Sequence, residues 1–147
     1  MKVGLVELRV PPRLEFLQVI RAFVGAVALV SSDLTAQRAS DLRLAVSEAA
    51  SNGMKAQFRL GAKDEILICC NLDHRQVEVE VRDHGGGFDP KAIKAVPDIE
   101  SPQRLHYESG LGIALMRRLA DEVVIETTPE GTAVRLIMEL DNFETEL

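Results

Sequence analysis

The chain has 147 residues, long enough for one domain with a genuine core. Its 46% apolar and 27% charged residues are the balance of a soluble globular protein. Seventeen Lys and Arg against 23 Asp and Glu leave a net charge of −6, which argues against a general nucleic-acid binder because no basic excess remains to neutralise phosphates. Glu7 and Arg9 interrupt any signal-peptide core, and the longest apolar run, 22–30, is too short to span a bilayer. A cytoplasmic protein with no membrane contact is expected. Cys69 and Cys70 are adjacent, so in a strand they point to opposite faces and do not form a disulfide with each other.

In residues 3–10, Val3, Leu5, Val6, Leu8 and Val10 are interleaved with charge and predict a strand that Pro11-Pro12 ends. Residues 13–30 predict a helix with an apolar stripe of Leu14, Leu17, Ile20, Val24, Val27 and Ala28. Phe16, Val19, Phe23 and Leu29 widen that stripe, so the helix is either deeply buried or meets another protein on part of its surface. Ser31-Ser32-Asp33 breaks the pattern, and a second helix is expected over about 35–58. On it Leu42, Ala45, Val46, Ala49, Gly53 and Ala56 supply small, close-packing positions, and Glu48 and Asn52, four apart, share one face.

Gly61 to Asp64 reads as a turn, followed by strands over 65–72 and 76–82 joined tightly through Asp73-His74-Arg75. A polar loop precedes a helix expected over 110–121, with Leu111, Leu115, Met116 and Leu119 at helical spacing. Strands over 123–127 and 132–138 flank the Pro129-Glu130-Gly131 turn, and 141–147 reads as a frayed acidic tail. The order β-α-α-β-β-(loop)-α-β-β predicts an α+β two-layer sandwich. Three helices lie on one face of a mainly antiparallel sheet, in a single domain over 1–147.

The glycine clusters match neither common nucleotide fingerprint. No Gly-Lys-Ser/Thr is present for a Walker A loop, and Gly85-Gly86-Gly87 follows a strand without opening the helix of a βαβ unit. Taken together, however, the clusters suit a nucleotide. Asp83 ends a strand where a carboxylate can accept from a base amino group, and glycines let the backbone approach closely. The turn Gly110-Leu111-Gly112 opens a helix whose free N–H groups and dipole favour phosphates.

Four clusters, Glu48/Asn52, Asp83-x-Gly85-x-Gly87, Gly110-x-Gly112 and Gly131-Thr132, occur in an order that resembles the Bergerat-fold ATPase superfamily of gyrase, histidine kinases, heat-shock chaperones and mismatch-repair ATPases. Ser47-Glu48-Ala49-Ala50-Ser51-Asn52, the run 85–89 and the run 110–123 look specifically like the anti-sigma factor/serine-protein kinase family, over nearly the whole chain.

The resemblance implies that Asn52 holds Mg²⁺ through its amide oxygen and that Glu48 is the general base or orients the attacking serine hydroxyl. It implies that Asp83 accepts from the adenine amino group, that Gly85 and Gly87 turn beneath the base, and that Thr132 helps hold adenine. Backbone N–H groups around Gly110, Leu111 and Gly112 would meet the phosphates. Residues 88–109 would be an ATP lid, in which Lys91, Lys94, Arg104 and His106 are either phosphate contacts or solvated loop charge. The implied protein binds ATP–Mg²⁺, sequesters a sigma factor and phosphorylates a serine of an anti-anti-sigma (STAS-type) antagonist. A homodimer is implied as well, through the 3–10 edge strand or the 13–30 helix.

Two positions depart from the family pattern. Ala56 stands where a histidine is common, four residues after Asn52, and Gly53 stands where an alanine is usual. They motivate an alternative, a non-catalytic partner-switch module with weak or no nucleotide turnover. A kinase-like ATPase domain detached from a sensor protein is a third reading, disfavoured because no phosphoacceptor-histidine helix precedes it.

Overall fold

The computed structural model describes residues 2–85 and 104–140, with the side chains of 2, 3 and 104–110 excepted. The elements are β1 (Lys2–Val10), a 3₁₀ turn (Leu14–Phe16), α1 (Leu17–Ala28), α2 (Ala36–Leu60), β2 (Ile66–Asp73), β3 (Gln76–Asp83), α3 (Arg104–Leu119), β4 (Glu122–Thr128) and β5 (Gly131–Glu139). All five strands join one sheet in the order β1-β2-β3-β5-β4, and every pairing is antiparallel. The three helices pack on one face of it, and the expected α+β sandwich is the observed fold.

Period-two burial makes the two layers. Ile66, Ile68, Cys70 and Leu72 of β2, Val77, Val79 and Val81 of β3, and Val134, Leu136 and Met138 of β5 line the helical face. Against them lie Ile20, Val24 and Val27 of α1, Leu42, Val46 and Met54 of α2, and Ile113 and Met116 of α3. Each such side chain, fully buried, contributes about 1.5–3 kcal/mol. The opposite face carries charge instead: the Arg135 guanidinium lies 3.6 Å from both Glu78 and Glu126.

α2 is fixed at both ends. Thr35 Oγ1 accepts from the Arg38 N–H at 3.2 Å, an N-cap, and Gly61 at φ 69° closes the helix with N–H bonds back to its last turn. The helix therefore runs two residues past the expected end, because the residue able to turn left-handed is Gly61 rather than Phe58. In its first turn Arg38 clasps Asp121, whose Oδ2 also accepts from the Glu139 N–H at 2.6 Å. This network ties α2 to the β4–β5 corner.

Two helices differ from expectation. The 13–30 segment divides into a 3₁₀ turn and α1, with Leu14 left 53% exposed, because the chain emerging from Pro11-Pro12 makes a tight turn before the α-helix can start. α3 begins at Arg104, earlier than the expected 110, because no proline interrupts residues 104–119 and helix-favouring Leu, Glu, Ala and Met carry the turns across both glycines. The expected lid, 88–109, thus overlaps a helix from Arg104 onward, and its remainder lies outside the described residues.

Candidate functional site

The middle of α2, the glycines of α3 and the ends of β3 and β5 converge. Glu48 and Asn52, one turn apart on α2, both face Gly112. A methyl group built on Gly112 would lie 3.2 Å from Asn52 Nδ2 and 3.3 Å from Glu48 Oε2. A carboxylate and an amide therefore meet over bare backbone. Among the described residues Asn52 Nδ2 is buried with no hydrogen-bond partner. A polar atom left this way costs about 1–3 kcal/mol unless a residue outside the described ones or a bound group supplies an acceptor.

The second half of the site begins at the next residue of α2. A Cβ on Gly53 would come 2.8 Å from Asp83 Cβ and 2.9 Å from its Oδ2, so the absence of a side chain there lets Asp83 pack onto the helix. Asp83 ends β3 beside Thr132 of β5. Its Oδ1 accepts from the Gly85 N–H at 2.9 Å. Burial pushes the Asp83 carboxyl above the ordinary 3.8, against the pull of the Gly85 and Thr132 N–H groups and the neighbouring His84. Thr132 is buried, and among the described residues its Oγ1 has no partner. Gly131, at φ 156°, is required where it stands: a Cβ there would sit 2.0 Å from the Asp83 carbonyl oxygen.

Asp83-His84-Gly85 is joined to α2 at three successive points. Gly53 underlies Asp83, Ala56 lies so close that a Cβ on Gly85 would fall 2.5 Å from its own, and Gln57 Oε1 accepts from the His84 N–H at 2.8 Å. The two departures from the family pattern thus have a steric reason, since larger residues at 53 and 56 would displace the end of β3. Gln57 was not singled out from the sequence. Its signal was spacing: Val46, Ala49, Gly53 and Gln57 recur on the buried stripe of α2, so an amide at the last position has to be buried and bonded.

The structure gathers Glu48, Asn52, Asp83, Gly85, Gly112 and Thr132 into one region. Gly87, Lys91 and Lys94 lie outside the described residues, and only the backbone of Arg104, His106 and Gly110 is described. Leu111 is 49% exposed. One expectation is corrected here. Gly110, Leu111 and Gly112 were expected to open a helix and offer free N–H groups, but they lie more than a turn inside α3, where helical bonding engages those groups and the positive end of the dipole is at Arg104. Among the described residues no cluster of three or more His, Cys, Asp or Glu forms a metal cage.

Residues 10–138 match the histidine kinase-like ATPase domain family. The chain belongs to that family. It is 30% identical to the serine-protein kinase RsbW of Bacillus pumilus, over 84% of this chain and 79% of that protein. It is 30% identical to RsbW of Bacillus subtilis (82% and 77%) and 27% identical to RsbW of Staphylococcus aureus (89% and 84%). Among solved structures it resembles that of the RsbU and RsbW domains of Rv1364c from Mycobacterium tuberculosis, with a TM-score of 0.69 at 16% identity. That likeness covers 95% of this chain and 33% of the larger one, and it shows the shared fold. In a histidine kinase-like ATPase domain ATP is the expected nucleotide. Among the described residues no helix is long and apolar enough to cross a membrane.

Proposed function

We propose that this chain is a cytoplasmic ATP–Mg²⁺-dependent serine kinase that also acts as an anti-sigma factor, its phosphate acceptor being an anti-anti-sigma protein of the STAS type. The observation that carries the reading is the meeting of Glu48 and Asn52 over Gly112, with the buried Asn52 amide unsatisfied. A hard cation takes oxygen ligands and keeps most of its waters, so one amide oxygen is enough of a protein anchor beside the triphosphate. Asn52 would hold the cation through its amide oxygen, with the amide flipped so that Oδ1 takes the place of the buried Nδ2. Asp83 accepts from the adenine amino group, and Thr132 gives its unpaired hydroxyl to the same base. The triphosphate supplies an electrophilic γ-phosphorus.

Glu48 accepts the proton of the acceptor serine as that oxygen bonds to the γ-phosphorus and the β–γ bridging bond breaks to release ADP. Gly110, Leu111 and Gly112 bring backbone close to the phosphates. A homodimer would use the free edge of β1, where Leu5 and Val6 are exposed, or the exposed Val19 and Leu29 of the α1 region.

The experiment is transfer of labelled γ-phosphate from ATP to a STAS-type antagonist. Wild type should label a serine, and Glu48→Gln should bind ATP yet lose transfer. Full transfer by Glu48→Gln removes Glu48 as the base. A binding-only module is the second reading, favoured by the engagement of the α3 N–H groups within the helix. It predicts partner binding with no labelled serine from wild type.

A further inference from the structure

Gln57 is completely buried, and both ends of its amide are committed to main chain. Its Nε2 donates to the Asp64 carbonyl at 2.7 Å, and its Oε1 accepts from the His84 N–H at 2.8 Å. His84 is the residue between Asp83 and Gly85, just past the last pairing of β3 with β5. Sheet hydrogen bonding has ended there, so the His84 N–H has no ladder partner, and the side chain of α2 supplies one. The same helix presents Asn52 just over one turn earlier. A single rigid element therefore carries the anchor of the phosphate end and, through Gln57, the anchor of the base end.

We infer that Gln57 is a positioning residue for nucleotide-base recognition: by holding the His84 N–H it fixes the Asp83 carboxylate where a base amino group must donate. The inference rests on the ATP reading of the site. A purely structural glutamine, one that only ties the Asp64 turn to α2, would affect stability without affecting the choice of base. Gln57→Met keeps the volume approximately and removes both hydrogen bonds. Gln57→Glu keeps an acceptor for the His84 N–H and gives up the donor to Asp64.

The test is calorimetric titration with ATP and with inosine triphosphate, which replaces the amino group by a carbonyl oxygen. Wild type should prefer ATP by about tenfold or more, the scale of a hydrogen bond to a charged acceptor. Gln57→Met should bring the two affinities to near equality, and Gln57→Glu should restore most of the preference. A wild-type preference retained in Gln57→Met overturns the inference and leaves the ATP reading standing. Equal binding of both nucleotides by wild type, or binding of neither, overturns the ATP reading and the inference with it. Should Gln57→Met fail to fold, Gln57→Asn, which shortens the side chain and draws its amide away from the His84 N–H, decides in the same titration: a preference for ATP reduced severalfold supports the inference, and a wild-type preference overturns it.

Discussion

Replacing Gly112 with alanine separates stability from function at the centre of the site. Gly112 lies inside α3, where a glycine is less favourable than alanine by about 0.8–1 kcal/mol. The new methyl would sit 3.2 Å from Asn52 Nδ2 and 3.3 Å from Glu48 Oε2, so each must yield by a few tenths of an ångström. Both atoms end flexible side chains, and the movement offsets only part of the gain. The net effect is a stabilisation of about 0.5–1 kcal/mol, or a rise in Tm of about 2–4 °C for a chain of this size. The same methyl fills the space between carboxylate and amide that the cation and γ-phosphate need, so ATP–Mg²⁺ affinity should fall by about tenfold or more. Circular-dichroism melting and calorimetric titration read the two effects on one sample. A higher Tm with unchanged ATP affinity would refute the placement of the phosphate end between Glu48, Asn52 and Gly112. A lower Tm would show that Asn52 and Glu48 do not yield to the added methyl.

Asp83→Asn should weaken ATP by about 1–3 kcal/mol while leaving the free protein more stable near neutral pH. The sign follows from burial, which raises the carboxyl pKa, so Asp83 favours the folded state fully only below the ordinary 3.8 and loses that contribution as pH rises through its raised value. Melting curves from pH 3 to 8 check it, and a variant less stable than wild type at pH 7 contradicts it. Asp121 behaves oppositely. Burial pushes its carboxyl up, but the Arg38 guanidinium and the Glu139 N–H outweigh this and hold it below 3.8. Its contribution is present above 3.8 and lost as pH falls through the lowered value, so Asp121→Asn should cost less than about 1.5 kcal/mol at pH 7 and progressively less in acid. A loss that does not shrink in acid would place the effect elsewhere. Gly131→Ala meets the Asp83 carbonyl oxygen at 2.0 Å and should destabilise the protein by about 2–4 kcal/mol in urea unfolding, a wild-type midpoint being the contrary result.

The layers of the fold were legible because alternation is a local signal. The valines of β3 and the apolar stripe of α2 each declare their buried face without reference to the rest of the chain. The pair Glu48/Asn52 was legible for the same reason, four residues being one helical turn. What the sequence could not convey was contact between distant segments. That Gly53 must lack a side chain becomes clear only once Asp83, thirty positions later, is seen resting on it. Gln57 likewise acquires its role from a distant segment, the His84 N–H just past the end of β3. The start of α3 was misplaced because glycine is a weak breaker. Gly110 and Gly112 resemble a turn, yet the helix-forming residues on both sides carry the hydrogen bonding through them. Helix ends set by a special backbone conformation, as at Gly61, are visible in sequence only as a choice among several nearby residues.

The most direct test of ATP–Mg²⁺ binding at Asn52 is calorimetric titration of wild type and Asn52→Ala with ATP, each with and without Mg²⁺. Wild type should bind in the micromolar range only when Mg²⁺ is present, and Asn52→Ala should lose that Mg²⁺-dependent binding. Equal affinity in the two proteins would remove Asn52 from the cation, and no heat from wild type at millimolar ATP would contradict the nucleotide site itself.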